Sequence, residues 1–187
     1  MDIVLASQSP RRRGLFSLIT DNFIVDSFDV DESIDEKYSA DKACLMLAEK
    51  KCRAAFQNYS EKCIVACDTV VEIDGKILGK PIDEADAFSM LRALSNNTHN
   101  VYTGVYISCG GTIRSFAQKT SVTFCKLSDS DIYGYILTGE PFDKAGGYGI
   151  QGKAAKFVTE ISGDYFNVMG LPLSRLWREL TELGMAL

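Results

Sequence analysis

Short apolar runs alternate with longer stretches of helical period along this chain, and that alternation constrains its fold more than any other feature. Residues 2–5 (DIVL) and 63–67 (CIVAC) are almost wholly apolar, as buried strands are. In the segment beginning at residue 40, Ala43, Leu47 and Ala54 fall on one helical stripe, which leaves Lys50, Lys51 and Arg53 to face water. Strand-like and helix-like segments without a strict βαβ rhythm, and with hairpins among them, predict an α/β (α+β) fold. Its core is a mixed, strongly bent β-sheet flanked by helices rather than a regular Rossmann alternation. Ligands of such folds favour a cleft beyond strand ends.

Caps and turns mark the elements. Ser9 followed by Pro10 starts a helix over residues 10–19, and residues 23–26 form a second strand. The acidic stretch 29–36 reads as a loop. Ser39 caps the long helix, which runs to about residue 57. Asp74-Gly75 is a hairpin turn between residues 70–73 and 76–78, and Asp83 caps a helix to residue 94. Residues 98–109 and 112–125 form a long hairpin around Gly110-Gly111. Ser128 caps a helix that ends at Gly139, residues 157–161 are a further strand, and residues 172–183 close the chain as an amphipathic helix. No repeat, low-complexity tract or Pro/Ser-rich linker interrupts it, so residues 1–187 read as a single domain.

Charge and composition narrow the partners. A net charge of -5 gives no sequence-wide attraction for nucleic acid or an anionic membrane, so any phosphate binding must be local and the partner small. No apolar run approaches the roughly 20 residues of a membrane span, and the charges after residue 5 reverse the order of a secretory signal; the expected location is the cytoplasm. The six cysteines lack CxxC spacing and sit mostly in apolar stretches, which favours buried thiols over a disulfide or zinc framework. His99 is the only histidine, which excludes a multi-histidine metal site, and its place at a strand start favours a structural role. Chemistry must therefore rest on carboxylates, Lys, Arg and hydroxyls, a set that suits Mg²⁺ or Mn²⁺ better than zinc.

Two constellations can carry such chemistry. Ser7, Gln8, Ser9, Pro10, Arg11, Arg12 and Arg13 lie between a buried strand and a helix start, where backbone N–H groups, hydroxyls and guanidinium forks meet the needs of phosphate oxygens. Three arginines at a helix start oppose the helix dipole unless an anion is bound. Asp68-Thr69 directly follows the CIVAC strand, and a carboxylate at a strand end can ligate a divalent ion or take a proton from attacking water. Among Asp29, Asp31, Glu32, Asp35 and Glu36 a second metal carboxylate is available, although such a run is usually solvated. Lys80 stands wedged between a strand and a turn in Leu78-Gly79-Lys80-Pro81. Residues 147–153 fit a GxxxxGK pattern, but Ala154 has no hydroxyl for Mg²⁺ and no strand leads in, so a P-loop is rejected. The segment reads instead as a flexible substrate loop in which the Gln151 amide can read a base edge.

Together these pieces resemble the Maf family of nucleotide pyrophosphatases. The likeness rests on Leu5-Ala6-Ser7-Gln8-Ser9-Pro10-Arg11-Arg12, Asp68-Thr69-Val70-Val71, Gly79-Lys80-Pro81, His99-Asn100-Val101-Tyr102-Thr103-Gly104-Val105, Gly139-Glu140-Pro141, the glycine-rich loop and Asn167-Val168-Met169-Gly170-Leu171-Pro172, in family order over nearly the whole chain. It implies two lobes around a central cleft, similar to inosine triphosphate pyrophosphatases. It also implies hydrolysis of a nucleoside triphosphate between its α and β phosphates with Mg²⁺ or Mn²⁺. By the resemblance Asp68 corresponds to the proton acceptor; Glu32, Lys80, Ser7, Arg12 and Lys51 line the phosphate and metal region, and Arg11, Thr69 and Gln151 are tied to substrate choice. A metal held by Asp68 and Glu32 would polarise the α-phosphorus, but a bound cation depresses a carboxylate's pKa, so Asp68 cannot be both a strong ligand and a strong base and Glu32 can share one role. The DKAGGYGIQG loop is similar to that of the branch acting on dTTP and UTP, with modified pyrimidine nucleotides as a further option. Asn96 and Met169 depart from the family's usual Gly and Val without touching this chemistry. A homodimer is left open. The family's association with septum formation keeps an alternative, a nucleotide-binding regulator of cell division without essential catalysis.

Overall fold

Side-chain caps from Ser9, Asp83 and Ser128 start three helices where the sequence places them, although the helix capped by Ser128 ends at Ile136 and not at Gly139. The computed structural model describes residues 2–35 and 37–187; Glu36 of the acidic stretch lies outside the described residues. Strand β1 (Ile3–Ala6) is buried at every position and leads into α1 (Pro10–Phe16), where the Ser9 hydroxyl accepts the Arg12 backbone N–H. The helix stops three residues short of the expected Ile19. Leu18 and Ile19 donate to Leu15 and Phe16, so the closing turn tightens to three-residue hydrogen bonds. Then come β2 (Phe23–Asp26), α2 (Ala40–Tyr59), β3 (Cys63–Ile73), β4 (Lys76–Leu78), α3 (Glu84–Leu94), β5 (Thr98–Cys109) and β6 (Thr112–Phe124). Helix α4 (Asp129–Ile136), β7 (Val158–Ser162), α5 (Tyr165–Val168) and α6 (Leu173–Glu182) complete the chain. The segment 37–39 leads into α2 without a side-chain cap bond from Ser39, whose hydroxyl bonds Asp41 instead.

The seven strands form one open, mixed sheet in the order β2-β1-β3-β5-β6-β7, with β4 paired to β3. Strand β1 runs parallel to both β2 and β3, whereas β4 and β7 pair antiparallel with β3 and β6. The expectation that a strand ends at Asp68 is corrected. Strand β3 pairs with β1 over Cys63–Ala66 and with β4 over Val71–Ile73, so it continues through Asp68 and exchanges one partner for another. Asp74 and Gly75, both at positive φ, turn the chain into β4 as expected of an Asp-Gly hairpin.

The chain divides into two compact units. The first runs to Asp68 and adds Thr103–Gln118 and Gly170–Leu187; the second comprises Thr69–Tyr102 and Lys119–Met169. In the first, α2 lays Cys52 and Ala55 against Val4, Ala6, Ile64 and Ala66. The close approach needs Gly104, where a side chain would meet the α2 backbone at Cys44 and Leu45 within 2.6 Å. In the second, His99, Phe124, Tyr135, Tyr148 and Phe157 form an aromatic cluster of edge-to-face contacts. No disulfide forms among the described residues; Cys125 is half-buried and the other cysteines are buried. No helix among the described residues is long and apolar enough to cross a membrane.

Candidate active site

The turn after β1 is wound by its own hydroxyls. Ser7 is buried, and its hydroxyl accepts the Ser9 N–H at 3.2 Å. The Ser9 hydroxyl in turn receives the Arg12 N–H at 3.4 Å. This brings Arg12 to the start of α1, where its Nε donates to the Gly170 carbonyl at 2.8 Å. The guanidinium is thereby anchored at the start of α1. With only seven residues, α1 contributes little as a dipole, so the local charge comes from side chains.

Lys51 is the centre of the first unit's polar chemistry. The sequence expectation that it faces water is corrected: its side chain is 15% exposed, and Nζ lies 2.5 Å from Asp68 Oδ1 and 2.6 Å from Glu32 Oε1. Burial alone would lower the Lys51 pKa, but the Asp68 charge and hydrogen bonds to Asp68 and Glu32 outweigh it and raise the value above the usual lysine range. Arg12 is near enough to oppose this shift by like-charge repulsion. The neighbouring thiols are held in the protonated form: burial, with Asp68 next, pushes Cys44 up to about 12, and burial likewise raises Cys67.

The same carboxylates suit a divalent metal. Asp68 and Glu32 each present an oxygen to one cationic centre, the Lys51 ammonium, at 2.5 and 2.6 Å, so two hard oxygen donors face the same place. No group of three or more His, Cys, Asp or Glu ligands exists among the described residues. Two carboxylates with remaining positions for water and phosphate oxygens is the habit of Mg²⁺ at nucleotide sites.

The other expected residues fall as follows. Arg11 is half-buried on α1 beside Arg12. Thr69, Lys80 and Gln151 belong to the second unit; Thr69 is half-buried on β3, while Lys80 and Gln151 are exposed. The structure thus gathers Glu32, Lys51 and Asp68 directly, and Arg12 near them, within one unit. The glycine-rich segment, expected as a flexible loop, is wound into short 3₁₀ turns over Glu140–Asp143, Ala145–Gly147 and Lys153–Phe157, with Tyr148 and Ile150 buried. Sequence reading missed the Arg12–Gly170 bond, which joins residues 158 positions apart and leaves no local signal. It also missed the Glu140 carboxylate, which accepts the Lys153 N–H; the Gly139-Glu140-Pro141 motif was the available cue.

The architecture defines a mixed-sheet α/β protein, and a solved structure of a HAM1 protein from Coxiella burnetii has a similar fold at 16% identity and a TM-score of 0.53, covering 97% of this chain and 99% of that one. The chain belongs to the Maf-like protein family, which matches residues 2–183. It is 48% identical over 182 residues to a Geobacillus sp. (strain WCH70) protein named dTTP/UTP pyrophosphatase, covering 97% of this chain and 98% of the relative. A Clostridium acetobutylicum protein of the same name is 45% identical over 200 residues and is covered end to end.

Proposed function

We propose that this protein is a nucleoside triphosphate pyrophosphatase that hydrolyses dTTP and UTP to the monophosphate and pyrophosphate. The observation that carries the reading is Lys51 clasped between Asp68 and Glu32, in a chain whose near full-length relatives bear that enzyme's name. A regulator without catalysis is not favoured by those names.

In this reading Arg12, Ser7, Arg11, Lys51 and Lys80 bind the phosphate oxygens and offset their charge, the largest barrier to attack by water on a polyanion. Asp68 keeps Oδ1 on Lys51 and accepts the proton of the attacking water on its other oxygen. The water oxygen bonds to the α-phosphorus as the bridging bond to the β-phosphate breaks, and pyrophosphate departs. Glu32, with Asp68 beside it, would hold Mg²⁺ or Mn²⁺, which supplies Lewis-acid polarisation of a phosphoryl oxygen when bound; a bound cation depresses a carboxylate's pKa, so Asp68 cannot be both a strong ligand and a strong base, and Glu32 takes the larger share of the metal. Thr69 and Gln151 set nucleotide choice, the amide offering the donor and acceptor that a uracil edge requires. The cytoplasm, where such nucleotides are made and cleared, is the proposed place of action, and one domain over the whole chain the proposed unit.

The test is product analysis over a panel of nucleoside triphosphates with Mg²⁺ or Mn²⁺. Pyrophosphate release from dTTP and UTP is expected, and Asp68→Asn should lower kcat on the order of a thousandfold while nucleotide still binds in equilibrium dialysis. Release of orthophosphate alone, or wild-type turnover by the Asp68→Asn variant, would sink the reading.

A further inference from the structure

The second unit holds an arrangement around Gln151 that the chemistry above leaves unused. Tyr148 is buried, and its hydroxyl bonds His99 Nε2 at 2.7 Å. His99 is itself wholly buried, edge-on to both Tyr148 and Phe124. Its Nδ1 has no hydrogen-bond partner among the described residues, so the Tyr148 hydroxyl is the ring's polar anchor. A buried imidazole with one nitrogen unsatisfied costs stability, and its retention asks for a return elsewhere.

The backbone on both flanks of Gln151 is tied down. Gly146 donates its N–H to the Gly79 carbonyl at 2.9 Å, and Gly149 donates to the Tyr135 hydroxyl at 3.2 Å. Beyond Gln151, Gly152 donates to the Gly149 carbonyl at 3.0 Å. The Lys153 N–H reaches both Glu140 carboxylate oxygens, at 3.0 and 3.3 Å. A side chain at Gly152 would collide with that carboxylate, so the chain passes directly over it. Between these anchors Gln151 is exposed, its neighbour Ile150 buried.

We infer that His99, acting through Tyr148, and Glu140, acting through the Lys153 amide, are positioning residues that hold Gln151 in place for base selection. The inference rests on the reading of Gln151 as the contact that selects the base. A primary amide carries one donor and one acceptor face, so it discriminates between bases only when its placement is set before the nucleotide arrives. A loop without anchors would pay ordering entropy on binding and accept several base edges; a clamped loop avoids both. A purely structural role for these groups would lower thermal stability and affect every nucleotide alike. A positioning role changes the ratio between nucleotides.

The experiment compares kcat/KM for UTP, CTP and GTP, read by pyrophosphate release with Mg²⁺, in wild type, Tyr148→Phe, Glu140→Ala, Glu140→Gln and Gln151→Ala. Tyr148→Phe and Glu140→Ala should each lower the preference for UTP on the order of tenfold, chiefly by raising KM for UTP, and Gln151→Ala should do the same. Glu140→Gln should restore the wild-type preference, because its amide oxygen still accepts the Lys153 N–H. Unchanged preference in Tyr148→Phe and Glu140→Ala, alongside a fall in Gln151→Ala, overturns the positioning role alone. Unchanged preference in Gln151→Ala overturns the reading of Gln151 and the inference with it. Should Glu140→Ala fail to fold, Tyr148→Phe decides: it removes a single oxygen, and a wild-type ratio in that variant overturns the inference.

Discussion

The Lys51 ammonium lies 2.5 Å from Asp68 Oδ1, and both side chains are nearly shut away from water, at 15% and 12% exposure. Such a pair is costly to break from one side, because the remaining charge stays buried without compensation. Lys51→Met should destabilise the protein by about 2–3 kcal/mol, less than for a fully buried pair because half-exposed Glu32 admits water to one side. Its urea midpoint should fall accordingly, and pyrophosphate release should be lost. Since the Lys51 pKa is raised above the ordinary 10.5, the ion pair contributes fully below that value and is lost only as pH rises through the folded pKa. The wild-type urea midpoint between pH 7 and 9 should therefore show no decline from this pair.

Asp68 stood out because a carboxylate directly follows five residues of an apolar run, and its burial agrees with that. That β3 carries on past it was hidden, because the exchange of β1 for β4 as neighbour is a fact of pairing, not of composition. Lys51 sits beside Cys52 at the edge of the buried stripe of α2, where periodicity alone assigns a lysine to solvent. Its inward turn comes from carboxylates 17 and 19 positions away, which no local pattern reports. Caps were more legible than pairs: Ser9, Asp83 and Ser128 all accept the N–H three residues on, since the cap and its target share one turn of sequence.

Arg12 gives a separate test of the phosphate grip. Its Nε is committed to the Gly170 carbonyl, so the planar fork can hold that anchor and a phosphate together. A lysine has one ammonium for both tasks. Arg12→Lys should lower kcat/KM for UTP by about tenfold to a hundredfold, with the fold intact by circular dichroism. Equal kcat/KM in the two proteins would remove Arg12 from the substrate.

Two glycines should respond oppositely to alanine. At Gly104 the new methyl would lie 2.5 Å from the Cys44 carbonyl carbon and oxygen and 2.6 Å from the Leu45 nitrogen, backbone that cannot step aside. Gly104→Ala should cost about 3 kcal/mol or more by urea denaturation. At Gly134, an exposed position on α4 with nothing within 4 Å, alanine should stabilise by about 0.5–1 kcal/mol through helix propensity.

The buried His99 ties stability to acidity in a window of its own. Burial drives its pKa down to about 4, against an ordinary 6.5, with a smaller opposing push from Glu72. The unfolded chain therefore binds the extra proton first. Stability is complete above about pH 6.5, falls as pH drops from there towards 4, and levels off below, with a total loss of about 3 kcal/mol. Carboxylates such as Asp2 and Asp31, whose pKa values are held below the usual 3.8, lose their contribution only below about pH 5 and do so alike in wild type and variant. Urea midpoints measured between pH 7 and 4.5 should decline in the wild type, and the slope should flatten in His99→Gln, whose side chain takes up no proton over this range. Parallel slopes in the two proteins would mean that the buried imidazole takes up its proton in the fold as readily as in the unfolded chain.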